Sequence, residues 1–239
     1  MILNLQWLNK LFDFFLPHSC VLCGDICVRD VDLCIDCEQE LPLIKYACHH
    51  CAAPLFNDAT IICGACLRKK PPFDCAFALF HYQDEIKKLL TDLKFHQQLV
   101  NAKLLGILMV KQLKQKDCYL KESKPEYIIP IPLHSKRLKE RGFNQSVEIA
   151  RPIAKAFNIP IDCYSCKRIK YTEAQSSIPA KDRKSNVHNA FYVKDNFKPN
   201  YVAIVDDVMT TGYTVSEFAM TLRRNGVKKI DVWCCAKTM

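Results

Sequence analysis

The chain has 239 residues, enough for one mid-sized domain and a small one. No stretch approaches the roughly 18 uninterrupted apolar residues that a membrane-spanning helix needs, so no membrane span is expected. With 34 Lys+Arg against 25 Asp+Glu the net charge is +9. That balance favours anionic partners, either a phosphorylated substrate or nucleic acid, without choosing between them.

Residues 1–18 read as a leading helix that ends at Pro17. Leu5, Leu8, Leu11, Phe12 and Phe15 recur at helical spacing. Lys10 is the single basic residue there, which favours a helix capping the fold over a membrane-surface anchor. Polar residues interrupt the segment, and it has neither a basic start nor a small-residue cleavage site, so a signal peptide is not expected.

Residues 19–70 form a cysteine module. Eight of the fifteen cysteines make four C-x2-C knuckles: Cys20/Cys23, Cys34/Cys37, Cys48/Cys51 and Cys63/Cys66, separated by 10, 10 and 11 residues. Two knuckles supply the four thiolates of a tetrahedral zinc ion, so the spacing predicts structural Zn2+ at one or two sites. Disulfides or redox pairs are the other readings; a disulfide scaffold would go with export, for which no signal is expected. Sequential pairing of the knuckles and a cross-braced pairing both satisfy the spacing. Long periodic runs are scarce here, as expected where metal replaces a hydrophobic core. Lys69-Lys70-Pro71-Pro72 reads as the linker.

A second domain is expected over 73–239. Cys75–Tyr82 reads as a strand. Helical spacing follows over Ile86–Leu93 and Leu104–Met109, then a strand over Tyr127–Leu133. A helix is expected over Phe143–Phe157, short strands at Pro160–Tyr164 and Ala190–Val193, a strand over 201–205, a helix over 215–225 and a strand over 229–236. Alternating helices and short apolar strands predict an α/β domain with a mainly parallel sheet and flanking helices. Ligands in such sheets sit at the carboxyl ends of the strands.

Three polar constellations fall in this domain. Between Ile131 and Ser146 a basic loop places Lys136, Arg137, Lys139 and Arg141 within six residues, enough positive charge to hold a pyrophosphate; a solvated basic turn is the plainer alternative. From Arg168 to Phe191 a long polar stretch, including Gln175 and Arg183, reads as a lid that excludes water, or as a surface loop. The apolar run Tyr201–Val205 reads as a buried strand with Asp206 and Asp207 at its end, followed by the turn Thr210-Thr211-Gly212-Tyr213-Thr214. Backbone N–H groups, hydroxyls and a helix N-terminus around one point suit a phosphate monoester. Ionised carboxylates accept hydrogen bonds from a vicinal diol. Phosphate and diol together describe a ribose 5-phosphate.

The segment V-x-I-V-D-D-V-x-T-T-G-x-T resembles the signature of type I phosphoribosyltransferases, which bind phosphoribosyl pyrophosphate (PRPP). Zinc knuckles, P-I-P-L, R-x-x-x-R-G-F-N-Q, T-x-x-Q-S, R-x-x-N-x-x-x-A-F and this segment follow one another in the order of the competence protein F (ComF) or GntX-type family. The Leu93-Lys94-Phe95 segment is also similar to that family. The resemblance implies a double zinc ribbon joined to a phosphoribosyltransferase-like domain, a cytoplasmic location, and a role in uptake or use of single-stranded DNA. It implies that Val205, Asp206, Asp207, Thr210, Thr211, Gly212, Tyr213 and Thr214 bind PRPP. Asp206 and Asp207 would hold the ribose hydroxyls, Arg137 and Arg141 would face pyrophosphate, and Arg168, Gln175 and Arg183 would belong to the mobile loop. Mg2+ would accompany PRPP, and turnover is left open. Single-stranded DNA and a helicase-like or other competence partner follow from the family context alone. The alternative reading is a nucleic-acid-binding or adaptor protein whose transferase fold senses PRPP without catalysis.

Overall fold

The computed structural model describes residues 18–27, 31–115, 123–171 and 187–238. The expected leading helix, Gln175 and Arg183 lie outside the described residues. The chain divides into two compact units, one up to Leu41 and one from Pro42 onward. No helix among the described residues is long and apolar enough to cross a membrane.

In the first unit, α1 (Ile35–Glu40) starts at Cys34, whose Sγ accepts the Cys37 N–H. An isolated bridge joins Ser19 to Ile26, and His18 pairs with Asp32 at 2.6 Å. Leu33 and Leu41 are its buried aliphatic residues among those described. Among the described residues of this unit, the cysteines outnumber the buried aliphatic residues.

The second unit opens with α2 (Gly64–Arg68) in the second cysteine ribbon. It continues through β1 (Cys75–His81), α3 (Asp84–Phe95), α4 (Leu99–Gln115) and β2 (Tyr127–Pro130). Next come α5 (Ser135–Arg141), α6 (Gln145–Phe157), β3 (Cys166–Arg168) and β4 (Phe191–Val193). β5 (Tyr201–Met209), α7 (Tyr213–Arg224) and β6 (Lys229–Lys237) complete it. The main sheet has order β1-β6-β5-β2, and every pairing in it is parallel. β3 and β4 form a separate antiparallel pair. The fold class is therefore the expected one, and residues 201–205 of β5 are all buried, which is why that stretch is a continuous apolar run. The second ribbon lies along the β1 edge: Ile44 N–H donates to Leu79 O at 2.9 Å and Ala76 N–H to His49 O at 3.0 Å. The ribbon thus covers an edge that would otherwise expose unpaired backbone groups.

Helices α4 and α6 pack closely, and Gly106 sits at the contact. A Cβ there would lie 2.6 Å from Ile149 O and 2.8 Å from Pro152 Cγ. Gly106→Ala gains about 1 kcal/mol of helix propensity but loses up to about 3 kcal/mol to overpacking against a backbone oxygen. A net destabilisation of about 2 kcal/mol is expected by urea titration; unchanged stability would mean that the helices separate freely.

At the opposite end of the sheet from the carboxylate pair, Asp231 is buried and accepts a 2.6 Å hydrogen bond from Tyr201 Oη. Burial pushes its carboxyl up to about 6, against the lowering by Tyr201 and Lys229. A raised folded value means that its contribution to stability is whole below the unfolded value near 4 and is lost as pH rises through about 6. Asp231→Asn should therefore gain on wild type by up to about 3 kcal/mol between pH 4 and pH 7. Thermal unfolding across that range checks this; a constant difference would contradict it.

Several boundaries differ from expectation. β5 does not stop at 205: β6 continues to offer partners up to Lys237, so the strand runs to Met209 and contains both carboxylates. The basic loop is partly helical, because His134 Nδ1 accepts the Lys136 N–H and Gly142 (φ 83°) closes the helix after a run of good helix formers. The next helix starts at Gln145, capped by Asn144, and not at Phe143. The strand expected at 160–164 is only a bridge from Ile161 to Ile128. Asp162 captures the N–H groups of Tyr164 and Ser165, turning the chain so that pairing resumes at Cys166.

Candidate functional site

The four knuckles group sequentially. The ligand atoms of Cys20, Cys23, Cys34 and Cys37 lie within 4.8 Å of one another, as do those of Cys48, Cys51, Cys63 and Cys66. The Sγ atoms of Cys23 and Cys34 are 3.8 Å apart, and those of Cys51 and Cys63 are 3.6 Å apart. A tetrahedron with Zn–S bonds of about 2.3 Å has edges of about 3.8 Å, whereas a disulfide would bring sulfurs to about 2 Å. The Cys63 N–H donates to Cys48 Sγ at 3.3 Å, as a knuckle that stabilises thiolate does. Burial would raise the Cys20 thiol, but N–H donors from Cys23, Cys34 and Leu22 bring it down to about 6. Cys63 reaches about 7 in the same way, with the Cys66 N–H the strongest donor. Burial and hydrogen bonding to Cys51 push Cys66 far up. Clustered thiols resist ionising together, and a tetrahedral dication relieves that conflict. Both cysteine sets fit structural zinc sites.

The second site is a cavity of about 570 Å3 at the carboxyl end of β5. Asp206 and Asp207, Thr210, Gly212 and Thr214 line it, together with Arg137 and Arg141 from α5 and Arg168 from β3. Among the residues expected to bind ligand, Val205 is fully buried within the sheet and Thr211 is exposed. Neither they nor Tyr213 line the cavity. Gly212 caps α7 with φ 76°, a left-handed conformation that glycine adopts without strain. It directs the start of the 12-residue α7 toward the turn.

Three further residues complete the site. Lys94, at the end of α3, pairs with Asp207. Gln145, the first residue of α6, donates from Nε2 to Asp207 Oδ1 at 3.5 Å and accepts from Arg141 through Oε1. Ser146 Oγ donates to Asp206 at 3.4 Å, and the Asp207 N–H donates to Asp206 Oδ1 at 2.9 Å. The sequence carries faint signals for Ser146 and Lys94. Ser146 falls on the apolar stripe of α6 with Ile149, Ala150 and Ile153, and Lys94 follows the apolar face of α3.

These contacts divide one charge unequally between two carboxyls. Burial and the Asp207 charge push Asp206 well above the usual carboxylate range. Burial would raise Asp207 too, but the Lys94 ammonium outweighs it and holds Asp207 low. Asp207 in turn keeps Lys94 protonated against its own burial. On the facing wall, burial and then Arg137 weaken the hold of Arg168 on its proton. Arg141 is lowered by burial and by Arg137, against the pull of Asp207. Three crowded guanidiniums thus share the cavity with a carboxyl pair, so positive charge and hydrogen-bond acceptors line the same space.

A parallel α/β unit with this cavity, in a chain that also carries two four-cysteine clusters fit for structural zinc, defines the class of protein. The double zinc ribbon domain family matches residues 11–67. Competence protein F of Haemophilus influenzae is 33% identical over 227 residues, covering 93% of this chain and 98% of that protein. DNA utilization protein YhgH of Escherichia coli K12 is 30% identical over 224 residues, with coverage of 93% and 98%. Competence protein ComFC of Streptococcus pneumoniae is 24% identical over 232 residues, with coverage of 90% and 98%. The chain belongs to the competence protein F family. Among solved structures, a purine phosphoribosyltransferase from Pyrococcus horikoshii aligns over 56% of this chain and 70% of its own at 18% identity, with a TM-score of 0.31. A superposition that loose carries no argument.

Proposed function

We propose that this protein is a PRPP-binding, phosphoribosyltransferase-like member of its family that serves uptake or utilisation of single-stranded DNA in the cytoplasm. The observation that carries the reading is the meeting, in one cavity, of the Asp206/Asp207 pair, Thr210, Gly212 and Thr214 of the turn, and Arg137, Arg141 and Arg168. The carboxyl pair offers acceptors to the ribose 2- and 3-hydroxyls. The turn and the N-terminus of α7 offer N–H and hydroxyl donors to the 5-phosphate. The guanidiniums match the pyrophosphate, and in turnover they would stabilise charge on it as it departs. Gln175 and Arg183 keep their proposed place in the loop following Arg168.

Mg2+ would enter with PRPP, held chiefly by its phosphates. Asp207 is already neutralised by Lys94, so the residues present do not form a cage for a bare dication. In this reading residues 19–70 are metal-held structure and 73–239 bind the ligand. The names of the relatives, which speak of competence and DNA utilisation, support the DNA-related role. The net charge of +9 suits a nucleic-acid or adaptor role in which PRPP is sensed without turnover.

Calorimetry with PRPP and Mg2+ on the zinc-loaded protein tests the reading. Saturable one-site binding, competed by ribose 5-phosphate, is the expected result. A folded, zinc-loaded protein that binds neither would remove PRPP from the site and leave nucleic acid as the leading ligand.

A further inference from the structure

Lys94 is the ionic partner of the carboxyl pair, and α3 sets its place. Ile86, Leu89, Leu90 and Leu93 bury one face of that helix, while Lys87 and Lys88 stay exposed. Asn101 Nδ2 donates to Leu89 O at 3.0 Å and ties α3 to α4. Lys94 follows the buried Leu93 in the last turn, where the free helix carbonyls favour a cation. It lines the cavity together with its neighbours Thr91 and Phe95. Its Nζ pairs with Asp207 Oδ2. Burial works against its charge, and the attraction of Asp207, then of Asp206, outweighs it.

Two more oxygens of the pair are engaged by the protein itself. Asp207 Oδ1 accepts from Gln145 Nε2 at 3.5 Å. Asp206 Oδ1 accepts from the Asp207 N–H at 2.9 Å and from Ser146 Oγ at 3.4 Å. A divalent cation seated on the pair would compete with these donors for its oxygen ligands and would face an ammonium in the same space. The pair therefore does not fit such an ion. A ribose diol asks only for acceptors, and a carboxyl oxygen that already accepts one hydrogen bond can accept another. Against the burial of Asp207, the Lys94 ammonium keeps it ionised and able to accept.

We propose that Lys94 is a positioning residue that takes the place of a divalent cation at Asp206 and Asp207, so that the carboxyl side of the cavity binds a ribose diol without a metal ion of its own. The proposal rests on the ribose 5-phosphate reading for its ligand. It separates the carboxyl pair from any Mg2+ that a pyrophosphate carries in.

The test uses the full-length zinc-loaded chain in buffer freed of other divalent cations. Mn2+ alone is the metal probe, read by electron paramagnetic resonance, and ribose 5-phosphate is titrated by calorimetry with and without it. Wild-type affinity for ribose 5-phosphate should change by less than about threefold when Mn2+ is added. Wild type and Lys94→Arg should show no Mn2+ site that Asp206→Asn removes. Lys94→Met should gain one such site, lost again in Lys94→Met/Asp206→Asn. Without metal, Lys94→Met should bind ribose 5-phosphate about 10- to 100-fold more weakly, and Mn2+ should recover most of that loss. A wild-type Mn2+ site that Asp206→Asn removes, or wild-type ribose 5-phosphate binding that needs Mn2+, would overturn the proposal, and neither result requires Lys94→Met to fold. A folded Lys94→Met that gains no Mn2+ site, or that gains one and binds ribose 5-phosphate like wild type, would overturn it too. If ribose 5-phosphate binds neither protein while the Mn2+ site appears only in Lys94→Met, the role of Lys94 stands and the ribose 5-phosphate reading falls.

Discussion

The Asp206→Ala/Asp207→Ala variant is expected to lose measurable affinity for PRPP, and the two single Asp→Asn variants are expected to separate binding from folding. Asp207 is the counter-ion of Lys94, which is largely enclosed. Asp207→Asn leaves that ammonium without its partner, a loss of about 3–5 kcal/mol for a buried pair broken on one side. Asp206 is held well above the usual carboxylate range, so asparagine there replaces a group that already favours its proton. Its stability cost should stay within about 1 kcal/mol, the range of a hydrogen bond rearranged in place. Asp207→Asn should weaken PRPP by about 10- to 100-fold, the equivalent of one hydrogen bond to a charged group, and Asp206→Asn by up to about 10-fold, the range of a neutral hydrogen bond. Urea titration and calorimetry on the same preparations read both quantities. Wild-type affinity in the double variant would remove the carboxyl pair from the ligand site. Equal destabilisation by the two single variants would contradict the unequal sharing of charge.

Cysteine replacement should have consequences that differ between the ribbons. Cys37→Ser is expected to reduce bound zinc from two equivalents to one and to unfold the first unit, whose described residues include only Leu33 and Leu41 as buried aliphatic side chains. Structural zinc contributes about 10–16 kcal/mol to small metal domains. Cys63→Ser should also remove one equivalent, but it should lower the melting temperature of the second unit. There the ribbon contributes Ile44 and Ala52 to the main core and covers the β1 edge. Atomic absorption with thermal scans checks both. A second-ribbon variant that melts like wild type would show that the ribbon is not needed to hold the sheet.

Much of the ligand site is local in sequence. A run of apolar residues, two carboxylates, a small-residue turn and a helix start lie within Tyr201–Thr214, and their chemistry is visible because the backbone alone brings them together. The same holds for each C-x2-C knuckle, whose two sulfurs share one turn. Lys94, Gln145 and Arg168 are different. They come from α3, α6 and β3, and only the packing of those elements on β5 places them around Asp206 and Asp207. Arg168 was expected in a mobile loop, yet it sits in a strand, because antiparallel pairing with Phe191 fixes it there.

By itself, then, the chain's sequence determines the cysteine knuckles, the carboxylate-and-turn segment and the alternation of helix and strand, since each depends on residues a few positions apart. Tertiary structure decides what depends on distant partners. It selects sequential over cross-braced cysteine pairing. It extends β5 past the carboxylates by giving it β6 as a neighbour. It makes Asp207 the charged member of the pair by bringing Lys94 to it, because burial penalises a lone charge and only a contact across the fold can offset that penalty.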